Sequence, residues 1–144
     1  MMNIQQTARA YADFFESVSQ ATPIESYAKL FDSQVFFEDP FQKVSGVDKV
    51  YDIFQHMFKT LYAPHFIVNE IVCNEQCAYL HWTFSYQRSA QHQTERFTGI
   101  SRVQFLETGK VLSHVDYWDA GENIYEKVPL LGSVLRLIKK KIKA

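Results

Sequence analysis

Only two cysteines occur among the 144 residues, and nothing around them assembles a metal site. Cys73 and Cys77 flank Asn74-Glu75-Gln76, with no second cysteine pair or nearby histidine to complete a zinc tetrahedron, so reduced thiols are expected. A hairpin at that point would bring the two side chains close, yet nothing in the chain calls for an oxidising compartment. His56, His65 and His92 have no spacing that gathers them around one metal, and no metal or other cofactor is expected. Charge of one sign is missing as well. Fifteen Lys and Arg against sixteen Asp and Glu leave a formal net charge of -1, which gives no global field for nucleic acid, and no nucleic-acid partner is expected. The first residues, Met1 to Thr7, contain no basic segment followed by an apolar run, and no stretch reaches the length of a membrane span. The expected location is the cytoplasm. Internal repeats, low-complexity tracts and linkers are absent, so the chain reads as one domain over 1–144.

What is present is apolar and aromatic: 47% of residues are hydrophobic and 15% aromatic, enough for a substantial core. From Gln5 to Val18, Ala8, Tyr11, Ala12, Phe15 and Val18 recur at helical spacing. Thr22-Pro23-Ile24-Glu25 and Ser45-Gly46-Val47-Asp48 carry helix-start chemistry, predicting a short helix to about Phe31 and a longer one to about Leu61. Val35 to Glu38 reads as a strand. After Pro64, the segments His65 to Cys73, Ala78 to Arg88, Arg96 to Leu106 and Val111 to Tyr117 are rich in β-forming residues and joined by short polar turns, predicting a four-stranded antiparallel meander. The expected fold class is α+β: a curved antiparallel sheet wrapped around N-terminal helices as a cone over about 4–119, with a C-terminal helical extension over about 120–144. Helices cannot fill a strongly bent sheet, so its open end becomes a pocket.

Phe36-Phe37-Glu38-Asp39-Pro40-Phe41 places two carboxylates at the end of an apolar strand that proline terminates. Alternation sends them to opposite faces, and a carboxylate among apolar neighbours becomes a better base. On later strands, Ser101 and Val103 share one face, as do His114, Asp116 and Trp118. His114 and Asp116 lie two apart, so the carboxylate can orient the imidazole for proton transfer, or the two can satisfy each other structurally. Trp82, Phe84 and Tyr86 form an aromatic stripe that reads as cavity wall or as plain core.

The order of elements, with Leu30-Phe31, Glu38-Asp39-Pro40, Ser45-Gly46 and the Gly109-Lys110-Val111 hairpin, resembles the SnoaL-like group of the nuclear-transport-factor-2-like superfamily, which includes ketosteroid isomerase. The resemblance implies that Asp39 stands where the isomerases keep their proton-shuttling carboxylate. It also implies departures: Phe15 occupies the position of a catalytic tyrosine, with Tyr11 one turn away, and Ser101 that of a second acid. The expectation is a general acid-base isomerase, cyclase or dehydratase acting on a small apolar molecule, with Asp39 as base, His114 as second acid or base, Asp116 as its orienter, and Tyr11 and Ser101 as donors to an oxyanion. Phe15, Trp82, Phe84, Tyr86, Val103 and Trp118 would line the substrate site. The alternative is a non-catalytic ligand-binding or partner-binding domain. A homodimer through the outer sheet face, which carries His81, Thr83 and Ser85, is a further implication of the resemblance.

The tail from Asp116 to Gly132 resembles that of a bacterial SnoaL-like subgroup. Ser133 to Lys143 then sets Val134, Leu135, Leu137, Ile138 and Ile142 against Arg136, Lys139, Lys140, Lys141 and Lys143, a basic amphipathic helix. Three placements suit it: docked on the body, closed over the cone as a lid, or resting on an anionic membrane surface.

Overall fold

The computed structural model describes residues 2–144. The chain runs α1 (Ile4–Ser17), α2 (Ile24–Leu30), β1 (Phe31–Asp39), β2 (Gln42–Ser45), α3 (Val47–Thr60), β3 (Tyr62–Cys73), β4 (Cys77–Gln87), β5 (Glu95–Phe105) and β6 (Val111–Tyr117). It ends with α4 (Ala120–Asn123), a 3-10 turn (Tyr125–Lys127) and α5 (Leu131–Ile142). This is the α+β cone, with the helical extension present.

The sheet is larger than a meander. Its six strands are ordered β2-β1-β6-β5-β4-β3, and β1 runs parallel to β6, with Phe37 beside His114. The early strand is longer than expected and turns back through Pro40 into β2, a polar edge strand paired from Phe36 with Ser45 to Asp39 with Gln42. Thr22 and Ser45 do not cap the following helices. The Thr22 hydroxyl accepts from the Ser19 amide, Ser45 belongs to β2, and α3 starts after Gly46 at a φ of 99°, a conformation open to glycine.

Burial follows the periods expected of each element. Ala8, Tyr11, Ala12 and Phe15 form the buried face of α1, and Ala78, Leu80, Trp82, Phe84 and Tyr86 alternate into the core along β4. Each large side chain buried this way contributes roughly 1.5 to 3 kcal/mol relative to exposure. Curvature comes from bulges: β3 advances from Val68 to Glu70 while β4 moves only from Trp82 to His81. The extra residue bends the strand around the helices. Glu16 of α1 takes up the Val68 amide there at 3.0 Å, fastening helix to bend.

The tail docks in an unexpected orientation. Lys127 donates to Glu95 at 2.7 Å, Arg136 to the Glu126 carbonyl at 3.0 Å and Lys139 to the Glu126 carboxylate at 2.8 Å, while Gly132 is buried against Glu126. The glycine and cationic side of α5 therefore meets the 3-10 turn, and Val134, Leu137, Ile138 and Ile142 remain exposed. Among the described residues, no helix is long and apolar enough to cross a membrane.

Candidate functional site

Three strands and one helix bring the polar centre together. His114 and Asp116 project from β6, Ser101 faces Asp116 across the β5–β6 register, and Trp82 reaches over from β4. Tyr11 comes from α1. Its hydroxyl lies 2.7 Å from His114 Nδ1, and His114 Nε2 lies 2.7 Å from Asp116 Oδ1. Ser101 donates a short hydrogen bond to the same Oδ1 and accepts from Trp82 Nε1 at 2.8 Å.

These contacts fix the direction of the protons. Tyr11 is 1% exposed, and His114 is the hydrogen-bond partner found for its hydroxyl among the described residues. A buried hydroxyl that must donate makes Nδ1 an acceptor, so His114 is the neutral tautomer that gives its Nε2 proton to Asp116. Burial first, and the Asp116 charge second, push the Tyr11 phenol well above its ordinary value, which keeps it a donor. The imidazole lies flat against Phe37, with ring centres 4.8 Å apart.

Both imidazole nitrogens are thus engaged, one by Tyr11 and one by Asp116. Asp116 Oδ2 accepts no hydrogen bond among the described residues, and Asp116 lines the hollow of the cone, a cavity of about 420 Å³. Its wall includes Phe66, Trp82, Phe84, Tyr86, Phe97 and Trp118, so the aromatic stripe of β4 is cavity wall as well as core. A smaller void of about 20 Å³ lies among Phe15, Leu80, Ser101 and His114.

The other expected site residues divide. Asp39 is at the cavity wall, but its oxygens are occupied: Oδ1 accepts from the amides of Phe41 at 2.8 Å and Gln42 at 3.1 Å, and Oδ2 from the Gln42 side chain at 2.9 Å. It holds the β1–β2 turn. Tyr11 is not a cavity donor, because its hydroxyl is committed to His114, and Val103 is fully buried core away from the hollow. Phe15 borders the small void. Trp118 stacks on Phe97 at 4.4 Å and carries Phe41 on its other contact at 5.4 Å. Sequence reasoning did not anticipate Phe97, Phe41 or Ile124 in the wall; Phe97 shares the inward face of β5 with Ser101 and Val103, a signal that alternation alone offered. Among the described residues, no three His, Cys, Asp or Glu side chains gather to hold a metal ion.

The family profile described as SnoaL-like domain matches residues 8–114. This chain belongs to the SnoaL-like family. Solved structures share the SnoaL-like cone at low identity. A nuclear-transport-factor-2-like protein of unknown function from Exiguobacterium sp. 255-15 has 18% identity and a TM-score of 0.66, covering 78% of this chain and 98% of that one. A protein of ketosteroid isomerase-like fold from Catenulispora acidiphila DSM 44928, in complex with trimethylamine, has 8% identity and a TM-score of 0.70, covering 83% and 89%. A candidate SnoaL-like polyketide cyclase from Jannaschia sp. CCS1 has 9% identity and a TM-score of 0.67, covering 78% and 85%. No curated protein matches this SnoaL-like sequence significantly. Asp116, Trp118 and the tail all lie beyond the family match.

Proposed function

We propose that this SnoaL-like domain holds a small, largely apolar molecule in its cone and moves a proton on it, as an isomerase, cyclase or dehydratase does, with Asp116 as the general base. The observation that carries this reading is the division of the Asp116 carboxylate: Oδ1 is held by His114 and Ser101, while Oδ2 accepts no hydrogen bond among the described residues and Asp116 lines an aromatic cavity. A base must reach the proton it removes, and Oδ2 is the carboxylate oxygen available to do so. In the first step a substrate C–H bond breaks, its proton forms an O–H bond with Asp116, and the electron pair stays on the substrate. The hydrogen-bond chain behind Asp116 runs through His114 to buried Tyr11. Return of that proton to another atom of the same molecule completes an isomerisation. His114, Ser101 and Tyr11 are positioning residues in this scheme.

The test is turnover of whatever molecule copurifies with the protein and is identified by native mass spectrometry. Asp116→Asn keeps the shape and should lower turnover by about 100-fold or more, as loss of a general base does. Asp39→Asn preserves an acceptor for the turn and should change turnover only a few-fold. Full turnover in Asp116→Asn would remove the assignment.

A second reading, binding without chemistry, is favoured by one observation: the donors of Trp82, Ser101, His114 and Tyr11 are all consumed within the network, leaving none of them for a developing oxyanion. A copurified ligand recovered unchanged after incubation supports that reading. A second copy of the chain is proposed to cover the outer sheet face, where Ile67, Tyr79, Ile100 and Tyr117 are exposed; light scattering checks its mass.

A further inference from the structure

The polar groups at the cavity wall are Asp39, Asp116, Gln42, His56, Thr60 and the polar atoms of Tyr86 and the two tryptophans, and the carboxylates are the anions among them. Two carboxylates, Asp39 and Asp116, reach its wall, whereas no Lys or Arg does among the described residues. Nine of the lining side chains are aromatic, which supplies electron-rich faces around the carboxylates. The charge on Asp116 is met only by neutral groups. Ser101 offers a hydroxyl, and His114 is an uncharged imidazole, because a doubly protonated ring would force Tyr11 to accept and leave the phenol proton without an acceptor in the core. A carboxylate held by neutral donors at the edge of an aromatic hollow lacks a counter-charge, and burying a ligand there without one is costly.

We infer that the ligand of this cavity carries an organic cation, a tertiary or quaternary methylated ammonium group, seated between Asp116 Oδ2 and the aromatic wall. The inference rests on the reading of the cone as a ligand site, in its binding form rather than its proton-transfer form because an Oδ2 paired with an ammonium is not free to take a C–H proton, and it adds the charge of what enters. Aromatic rings attract such cations most when water is excluded, and the carboxylate adds direct Coulomb attraction. The degree of substitution follows from the acceptor count. A primary ammonium is best served by three acceptors, and of the four carboxylate oxygens at the wall only Asp116 Oδ2 accepts no hydrogen bond among the described residues, both oxygens of Asp39 being engaged by Phe41 and Gln42. A methylated ammonium needs one acceptor or none, and its methyl groups pack on Phe97, Trp82 and Trp118.

Both tryptophans of the chain, Trp82 and Trp118, line the cavity, so intrinsic fluorescence reports on occupancy. The full chain is titrated with choline and with its neutral isostere 3,3-dimethylbutan-1-ol at matched ionic strength, by fluorescence and calorimetry. Choline should bind at least about tenfold more tightly, and Asp116→Asn should erase the advantage by weakening choline. The two wild-type titrations carry the test whether or not the variant folds, and melting temperatures with each compound should follow the same order. Equal or tighter binding of the alcohol overturns the cation and leaves the cavity as a ligand site. Failure of both compounds to bind overturns the cation and the ligand-site reading together.

Discussion

Replacing Tyr11 with phenylalanine removes one oxygen from the centre of the cone and isolates what the His114 hydrogen bond is worth. The ring stays in place, because its edge contacts with Phe15, Phe31 and Phe105, at 4.8, 5.7 and 5.8 Å, do not involve the hydroxyl. The lost quantity is therefore one buried hydrogen bond, and His114 Nδ1 is left as an acceptor without a partner. An unsatisfied buried polar atom costs about 1 to 3 kcal/mol. For a domain of this size, that corresponds to a fall in melting temperature of roughly 3 to 9 °C. Urea unfolding of the wild type and Tyr11→Phe gives the free-energy difference, and nitrogen NMR of the imidazole reports which ring nitrogen holds the proton. The wild type should show a protonated Nε2 and a bare Nδ1. A protonated Nδ1, or a variant whose stability differs by less than about 0.3 kcal/mol, would show that the proposed proton order is wrong.

Three other perturbations have defined outcomes. Gly99→Ala drives a Cβ into the Trp82 ring and against the Tyr117 carbonyl, so it should cost about 1 to 3 kcal/mol and shift tryptophan emission as the Trp82–Ser101 bond breaks. Gly132→Ala meets the Glu126 backbone and should release α5, measured as faster hydrogen exchange over 131–142, while the melting temperature of the cone is unchanged. Tyr11, Tyr27 and Tyr86 all have phenols raised above the ordinary value, each chiefly by burial. The folded state holds these protons more tightly than the unfolded one, so their contribution is complete below pH 10.0 and is lost as the pH rises beyond it towards the raised values. Ultraviolet titration should find these three of the eight tyrosines late to ionise; ionisation of all eight near pH 10.0 in folded protein would contradict it.

Local periodicity made much of this architecture legible. The three-and-four spacing of Ala8, Tyr11, Ala12 and Phe15 gave the buried face of α1, and alternation from Trp82 to Tyr86 gave part of that of β4. The strand β2 left no such trace, because Gln42-Lys43-Val44-Ser45 is an edge strand that buries almost nothing. That omission propagated to the site. Without the turn into β2, Asp39 reads as a free carboxylate, and only the fold shows its oxygens committed to Phe41 and Gln42. The pairing of His114 with Asp116 was visible from their two-residue spacing, but the direction of their bond depends on Tyr11, 103 positions away in the chain. Amphipathic spacing foretold α5 as a helix, yet a docking side built on Gly132 and paired charges lies outside what hydrophobic periodicity can report.

The side-by-side run of β1 and β6 ties the order of folding to the chemistry. Phe37 and His114 become neighbours only after a loop of more than seventy residues has closed, an entropic cost met before the pair returns any energy. The hairpins among β3, β4, β5 and β6 can nucleate early, since each joins adjacent segments. Loop-closure entropy therefore places the pairing of the first strand with the final one late. On a ribosome, β6 must clear the exit tunnel before the carboxylate and its imidazole support can meet Phe37, so a chain stalled before Val111 has helices and hairpins but no site.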